Sequence, residues 1–118
     1  MKLLFLQYPK CSTCVKAKKW LEQNGIEFID RHIVDENPMA EELKEWATKG
    51  NVPVKKFFNT SGQIYKNENI KDKLATISED EQFALLGERG MLVKRPLVIG
   101  DDFVLVGFKE KDWEEKLK

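Results

Sequence analysis

Residues 3–15 read LLFLQYPKCSTCV, an apolar run followed at once by two cysteines, Cys11 and Cys14, in C-x-x-C spacing. The run over residues 3–6 is apolar at every position, which is typical of a short strand that is buried on both faces at the centre of a sheet. Pro9 breaks this strand, and from Ser12 the apolar residues recur at helical spacing. The stretch therefore predicts a strand, a turn that carries the first cysteine, and a helix that carries the second.

The helix and the residues after it complete a βαβ unit. Asn24 and Gly25 end the helix, and IEFIDRHIV, residues 26–34, predicts a second strand because it is rich in β-branched and aromatic residues. A strand, a helix and a strand within about 30 residues place the two strands parallel. The apolar face of the helix consists of Cys14, Ala17, Trp20 and Leu21.

The middle of the chain is predicted to be helical. Asn37 and Pro38 are expected to be the N-cap and first residue of one helix, and Ser78 with Glu81 forms the capping-box pattern of another, which should close at Gly87 or Gly90. Between them, NTSG (residues 59–62) predicts a turn, and residues 67–74 predict one short helix. The first helix is expected to turn inward Met39, Leu43, Trp46 and Ala47.

The last quarter predicts two strands and a helix. RPLVIG (95–100) and FVLVGF (103–108) form a hairpin around two aspartates, and residues 109–118 form an amphipathic helix with Trp113 and Leu117 inward. We therefore predict one α/β domain over residues 1–118, with the layout of a thioredoxin-like fold. Its mixed four-stranded sheet combines the parallel βαβ unit with the antiparallel hairpin. The thioredoxin-like core comprises residues 1–36 and 91–118, and the helical insertion spans about 37–90.

Composition excludes several classes of protein. A chain of 118 residues with 42% hydrophobic residues can bury one core. It has neither an apolar run of about 18 residues nor the pattern of a signal peptide, so we expect a cytoplasmic protein outside the membrane. Lysine plus arginine and aspartate plus glutamate number 20 each, so no overall field favours direct binding to nucleic acid. Any anion site must be local.

The cysteine count argues against a structural role for the pair. A secreted disulfide scaffold uses four or more cysteines and a structural zinc site about four ligands, whereas this chain has two cysteines and one histidine, His32. We therefore expect no bound metal. The alternative is a zinc site shared between two chains, which together would supply enough ligands. On its predicted strand, His32 is expected to be a packed or surface residue.

The placement of the cysteines predicts redox chemistry. At the first residues of a helix, N–H groups and the helix dipole stabilise a thiolate, so Cys11 is the expected nucleophile. Cys14 lies one turn along on the same side and is the expected resolving thiol. Ser12 and Thr13 are candidates to donate hydrogen bonds to the sulfur. The alternative is that Cys14 is a small buried residue and Cys11 an incidental residue of the turn.

Cationic residues and a proline complete the predicted site. Pro96, directly before the first hairpin strand, lies where a cis peptide bond can occur, and the fold would bring this loop beside the cysteines. Arg95 is then a candidate to hold an anion near Cys11, with an exposed surface arginine as the alternative. Lys10 is the lysine expected to influence Cys11. The other lysines near the motif, Lys16, Lys18 and Lys19, are expected to form a solvated face.

Two long segments resemble the ArsC/Spx family: YPKCSTCVKAKKWLEQNGIEF (8–28) and VKRPLVIGDDFVLVGF (93–108). The resemblance covers essentially the whole chain. It implies a thioredoxin-like core, an inserted helical block, an Arg-Pro loop facing the N-terminal cysteine, and no bound cofactor.

The resemblance to the arsenate reductases of this family implies one activity. There, a cysteine corresponding to Cys11 attacks arsenate, three arginines bind the oxyanion, and glutathione with glutaredoxin completes the cycle. Cys11 and Arg95 match this pattern, whereas the other two arginine positions fall near Asn59 and Gly107. Lys55 or Lys56 is a candidate substitute for the missing charge.

The resemblance to Spx implies a second function, that of a transcription regulator that binds the α subunit of RNA polymerase and uses C-x-x-C as a redox switch. Gly50 is the nearest counterpart of a glycine in that contact, with a helix C-cap as the alternative. We rank this regulator, and arsenate reduction, below a cytosolic thiol-disulfide oxidoreductase. Its expected substrates are disulfides such as a glutathione mixed disulfide, with glutathione as a candidate co-substrate and glutaredoxin as a candidate partner.

Overall fold

The computed structural model describes residues 3–118, which form a four-stranded sheet with helices on both faces. The strand order is β2-β1-β3-β4. Strand β1 pairs in parallel with β2 and antiparallel with β3, and β3 pairs antiparallel with β4. The predicted mixed sheet and the central position of the first strand are confirmed. The strands are β1 (Leu3–Gln7), β2 (Phe28–His32), β3 (Leu97–Ile99) and β4 (Val104–Val106).

The helices fall into two groups around this sheet. Helix α1 (Ser12–Gln23) follows β1, and α6 (Glu110–Leu117) follows the hairpin. Between β2 and β3 the chain is helical. That segment contains α2 (Ala40–Gly50), a 3₁₀ turn (Val54–Phe57), α3 (Gln63–Asn67), α4 (Ile70–Leu74), α5 (Glu79–Glu88) and a second 3₁₀ turn (Gly90–Leu92). No helix within residues 3–118 has the length and apolar character that crossing a bilayer requires.

The apolar run of β1 divides its side chains between two cores. Leu3 and Phe5 pack with the buried residues of α1 and α6, including Trp20 and Trp113. Leu6 points to the opposite face and packs with the helical segment between β2 and β3. Because successive strand side chains alternate between faces, a strand that is covered on both sides is apolar throughout.

The start of α2 differs from the prediction. Its N-cap is Met39, not Asn37, and Met39 is 57% exposed instead of lying in the core. The amide Nδ2 of Asn37 instead donates to the carbonyls of Leu86 and Gly87 at the end of α5. Carbonyls in the last turn of a helix lack i+4 partners, and among residues 3–118 the carbonyl of Leu86 otherwise accepts only a long bond from the N–H of Arg89, at 3.4 Å. The contact with α5 therefore takes the side chain of Asn37 away from α2.

One further boundary in the helical segment was predicted wrongly, whereas α5 ends just before Gly90, the second of its two predicted stops. Residues 63–74 form two short helices instead of one, separated at Asn69, which adopts a left-handed conformation with φ 51°. Helix α5 has the expected capping box at Ser78, but it continues through Gly87 and ends at Glu88. Gly87 does not stop the helix because Asn37 satisfies the carbonyls of its last turn.

Gly50 is the last residue of α2, and the left-handed C-cap is Asn51 with φ 53°. A Cβ atom at Gly50 would lie 2.7 Å from Cβ of Val104. The absence of a side chain therefore lets the end of α2 lie against β4, a packing role that the C-cap alternative did not anticipate.

Candidate active site

Cys11 occupies the N-cap position of α1 and is partly exposed. Its N–H donates to the carbonyl of Tyr8 at 2.9 Å, and its carbonyl accepts from the N–H of Val15 at 3.1 Å. The turn through Pro9 thus joins the end of the central strand directly to the first turn of the helix. This places the sulfur where the unpaired N–H groups of α1 are concentrated.

Cys14 lies one turn further along α1 and is 0% exposed. It belongs to the buried face that the sequence predicts, with Ala17, Trp20 and Leu21. Both cysteines are free thiols. The pair therefore consists of one thiol that solvent reaches and one that it does not.

The pKa of the Cys11 thiol is held below its ordinary value. Burial alone would raise this pKa, but the N–H and thiol of Cys14, the N–H of Thr13 and the positive charge of Arg95 outweigh it. The sulfur of Cys11 does not accept a capping hydrogen bond that meets the usual distance and angle limits. The N–H groups therefore act on it mainly through their dipoles. The N–H groups that lower the pKa of Cys11 belong to Thr13 and Cys14. Thr13 therefore stabilises the thiolate through its backbone.

Burial raises the pKa of Cys14 to about 12. The hydrogen bond and the charge of Cys11 contribute to this rise in the pKa, while the N–H of Tyr8 and the charge of Arg95 act in the opposite direction. When one thiol is deprotonated, it is therefore Cys11, and Cys14 keeps its proton.

Arg95 lies beside the cysteines, next to a cis peptide bond to Pro96. Its Nη1 donates to the carbonyl of Met91 at 3.0 Å, and its guanidinium carbon lies 5.3 Å from the centre of the Tyr8 ring. These contacts fix the side chain, and no carboxylate among residues 3–118 forms an ion pair with it. The structure therefore brings Arg95 and Cys11 together at one cavity.

A cavity of about 640 Å³ opens over Cys11. Its cations include Lys94 and Lys109, which the sequence reading missed, and no aspartate or glutamate among residues 3–118 lines it. Two signals were available: Lys94 directly precedes Arg95, and Lys109 directly follows the hairpin. The lining comprises Tyr8, Lys10, Cys11, Ser12, Thr13, Asn59, Ser61, Gly62, Gln63, Ile64, Met91, Lys94, Arg95, Val106, Gly107, Phe108 and Lys109.

Asn59 and Gly107 both line this cavity, whereas Lys55 and Lys56 do not. Neither lysine therefore supplies the missing charge within the cavity over Cys11, and both belong to the 3₁₀ turn Val54–Phe57. Gly107 adopts φ 77°, a conformation that side chains disfavour. Its carbonyl accepts from the indole N–H of Trp113 at 3.1 Å, which fixes this bend at the end of β4.

The other lysines near the motif differ in their surroundings. Lys10 is exposed at the cavity, and Lys16 and Lys19 face solvent on α1. Lys18 instead pairs with Asp30 of β2 at 2.9 Å. Its predicted place on a solvated face is therefore only partly correct.

His32 ends β2 and does not line the cavity over Cys11, although its ring lies edge-on to that of Tyr8 with the centroids 5.7 Å apart. Its Nδ1 accepts from the N–H groups of Val34 and Asp35 at 3.1 and 3.0 Å, so the ring caps a turn. Within residues 3–118, no three His, Cys, Asp or Glu side chains cluster closely enough to hold a metal ion. The complete burial of Cys14 also argues against a zinc ion shared between two chains.

Comparison with known proteins places this arrangement in a family. The sequence model of the ArsC family matches residues 6–116 of this chain. The chain is 53% identical to the uncharacterised protein YusI of Bacillus subtilis over 98% of each chain. It is 33% identical to the regulatory protein MgsR of the same organism, covering 90% of this chain and 82% of MgsR. A crystal structure from Bacteroides fragilis, described as ArsC family related, superposes with a TM-score of 0.92 at 61% identity and covers 98% of this chain and 97% of its own.

Proposed function

Because this chain belongs to the ArsC family, we propose that it is a cytosolic thiol-disulfide oxidoreductase. Cys11 is the nucleophile and Cys14 the resolving thiol. The observation that carries the proposal is the opposite displacement of the two pKa values within one C-x-x-C pair. An accessible thiol with a lowered pKa attacks the substrate disulfide, and a buried thiol that stays protonated resolves the mixed disulfide that forms.

In the first step, the Cys11 thiolate attacks one sulfur of a disulfide substrate. A Cys11–substrate disulfide forms, and the other half of the substrate leaves as a thiolate that takes up a proton. In the second step, Cys14 gives its proton to the departing thiolate and attacks Sγ of Cys11. The substrate is reduced by two electrons, and the Cys11–Cys14 pair is oxidised to a disulfide.

The second step becomes easier once the first is complete. The negative charge of Cys11, one cause of the raised pKa of Cys14, disappears when Cys11 enters the mixed disulfide. Deprotonation of Cys14 then needs less free energy than in the reduced protein. The order of the two steps follows from this change.

The surrounding residues take roles in binding. Arg95 holds an anionic group of the substrate and stabilises the Cys11 thiolate, and Lys10 adds positive charge at the rim. Ser12 and Thr13 shape the wall around the sulfur, whereas Pro96 does not line the cavity and follows Arg95 through a cis peptide bond. We propose glutathione or glutaredoxin as the thiol partner that reduces the Cys11–Cys14 disulfide and closes the cycle.

The decisive experiment measures the alkylation rate of Cys11 against pH in a Cys14→Ser variant and the intact mass of the unmodified chain after mild oxidation. We expect a rate midpoint below that of an ordinary thiol, and a loss of two hydrogens on oxidation. In turnover with a glutathione mixed disulfide, Cys11→Ser should be inactive and Cys14→Ser should accumulate the mixed disulfide. An ordinary midpoint with no internal disulfide would refute the catalytic proposal.

A second candidate is a regulator, which the similarity to the regulatory protein MgsR favours. In this role the Cys11–Cys14 disulfide alters a surface that binds the α subunit of RNA polymerase. Capture of the chain by that subunit in oxidising but not in reducing buffer would support the regulator. Turnover that depends on Cys11, without such capture, would support the reductase.

Arsenate reduction is the weaker candidate. A bound arsenate needs fixed cations around its oxygens, and the cavity has Asn59 and Gly107 at the two positions where the family resemblance suggests arginine. Among residues 3–118, Arg95 is the one arginine that lines this cavity. The other cations of the cavity are lysines, whose side chains are flexible. Turnover of arsenate with glutathione and glutaredoxin, abolished in Cys11→Ser, would be required to revive this activity.

A further inference from the structure

A second cavity, of about 390 Å³, adjoins the one over Cys11. Lys94, Val106, Gly107 and Lys109 line both, so the two cavities form one continuous groove. It starts at Cys11, follows β4 and ends at Lys56; we call it the β4 groove. A strand rises about 3.3 Å per residue, so Val104 and Leu105, which line only the second cavity, extend the groove by roughly 7 Å beyond the first.

The β4 groove is strongly basic. Within the described chain one carboxylate, Asp112, lines it. None of its cations forms an ion pair among residues 3–118. The chain as a whole has equal numbers of acidic and basic residues, so this excess is local, and a cleft of one sign of charge attracts an oppositely charged ligand. The cations are Lys10, Lys56, Lys94, Arg95 and Lys109.

The groove also has an open strand edge. Strand β4 is the last strand of the sheet. The N–H of Gly107 donates to Pro96, and the N–H of Gly100 donates to Phe103. Because hydrogen-bonded pairs alternate along an antiparallel ladder, the backbone N–H and C=O of Val106 face away from β3 and into the groove. A Cβ at Gly50 would lie 3.1 Å from the Val104 nitrogen, so α2 covers the edge there and Val106 is the open position.

These features deepen the proposed dithiol function and rest on it: we infer that the substrate is a disulfide in an extended acidic peptide segment, with its sulfur at Cys11 and its acidic side chains along the lysines of the β4 groove. A peptide backbone can pair with Val106, as in strand addition to an exposed sheet edge. A small disulfide that fills the first cavity does not reach Lys56. The second cavity therefore favours a chain over a small molecule.

The reaction with a peptide disulfide follows the same two steps at Cys11 and Cys14. The peptide disulfide accepts two electrons and two protons and becomes thiols, while Cys11 and Cys14 become a disulfide that a thiol reductant restores. The groove changes the encounter rate and the affinity, and it leaves the sulfur chemistry unchanged.

The test uses the reduced protein and synthetic peptides that carry one cysteine as its 2-thiopyridyl disulfide, a neutral leaving group that absorbs when released. One peptide has glutamates on both sides of the cysteine, and a matched peptide has glutamines. We expect the acidic peptide to react about tenfold faster at low salt. This advantage should shrink as salt screens the charges.

Lys56→Gln separates the inference from a general attraction to the active site, because Lys56 lines only the second cavity. We expect this change to lower the ratio of acidic to neutral peptide rates by roughly twofold to fivefold, the effect of one exposed charge pair. Lys71→Gln is the matched control. Lys71 is exposed on α4 and lines neither cavity, so the ratio should not change.

Three other outcomes would each overturn something definite. Equal rates for acidic and neutral peptides, with rapid reaction of both, would overturn the groove inference and leave the reductase proposal intact. Suppose instead that the acidic peptide reacts faster than the neutral one, that Lys56→Gln does not reduce this difference, and that oxidised glutathione also reacts faster than the neutral peptide by the same factor. This result would assign the site to small anionic disulfides. If 2,2′-dipyridyl disulfide reacts no faster with Cys11 than with a free cysteine peptide, the reductase proposal itself fails.

Discussion

At the scale of single residues, the reactivity of Cys11 depends on contributions of opposite sign. Burial raises its pKa, whereas helix N–H groups and the charge of Arg95 lower it. Arg95 is effective because its position is fixed by backbone carbonyls and by the ring of Tyr8. An arginine free in solvent would spend most of its time away from the sulfur.

Replacing Arg95 tests this contribution. In a Cys14→Ser background, Arg95→Met should move the alkylation profile of Cys11 to higher pH, because the thiolate loses a nearby positive charge. We expect the alkylation rate at pH 7 to fall roughly twofold to fivefold, the size of a partly exposed charge interaction. Arg95→Lys should recover part of the effect. Superimposable profiles for Arg95→Met and the parent would contradict the role of Arg95.

Tyr8 is predicted to act through Arg95. Tyr8→Leu removes the aromatic face under the guanidinium, a contact worth about 0.5–1 kcal/mol, so the alkylation profile should shift in the same direction as in Arg95→Met, but less. Tyr8→Phe keeps the ring and should behave like the parent. In an Arg95→Met background, Tyr8→Leu should have no further effect. An additive shift would mean that Tyr8 acts on the sulfur independently.

At the scale of elements, the segment that joins β2 to α2 connects parts of the chain that are distant in sequence. Asn37 donates to the carbonyls of Leu86 and Gly87 at the end of α5. This contact explains both the late start of α2 and the continuation of α5 through a glycine. Capping by a residue about 50 positions away has no local sequence signature.

Asn37→Asp should destabilise the protein more than Asn37→Ala. The aspartate keeps the shape but replaces an N–H donor with a negative oxygen that faces two carbonyls at the negative end of a helix. We expect a loss of about 1–3 kcal/mol in the free energy of unfolding, measured by urea denaturation at pH 7. The excess loss should disappear at low pH, where the aspartate is protonated. Equal losses for both variants would show that the amide does not act as a donor.

At the scale of the whole molecule, an ion pair connects the sheet to the helical segment. Arg31 of β2 donates from both Nη atoms to Glu42 of α2, each at 2.9 Å. The Arg31 hydrogen bonds lower the pKa of Glu42, against a smaller opposing effect of burial, and the N–H of Met39 also lowers it. The two layers are thus held in one orientation by a bidentate contact at the edge of the core.

The lowered pKa predicts a pH dependence. Glu42 loses its proton more readily in the folded state, so its stabilisation is fully present above the unfolded pKa of about 4.3 and is lost as pH falls through the folded value. Glu42→Gln should cost about 1 kcal/mol at pH 7, a typical value for a partly exposed pair. The difference from the parent should fade in acid. Glu45→Gln, on the exposed side of α2, is the control and should be neutral at both pH values.

Much of this fold could be predicted from local pattern. The apolar run of β1, the periodicity of α1, the capping box at Ser78 and the hairpin each depend on residues that are close in sequence. These features were enough for the sheet and for the C-x-x-C pair at a helix start. They did not yield the split of residues 63–74 into two helices, where the backbone turns at Asn69.

By itself, the sequence determined which thiol begins the helix and which lies on its buried face, because helical periodicity fixes both. The tertiary structure decided what surrounds them. Lys94 and Lys109 meet Cys11 only because the hairpin folds back beside the first strand, and Lys56 joins the same groove through the helical segment. Charges far apart in sequence act together only when packing brings them to one surface, since electrostatic interaction depends on distance in space.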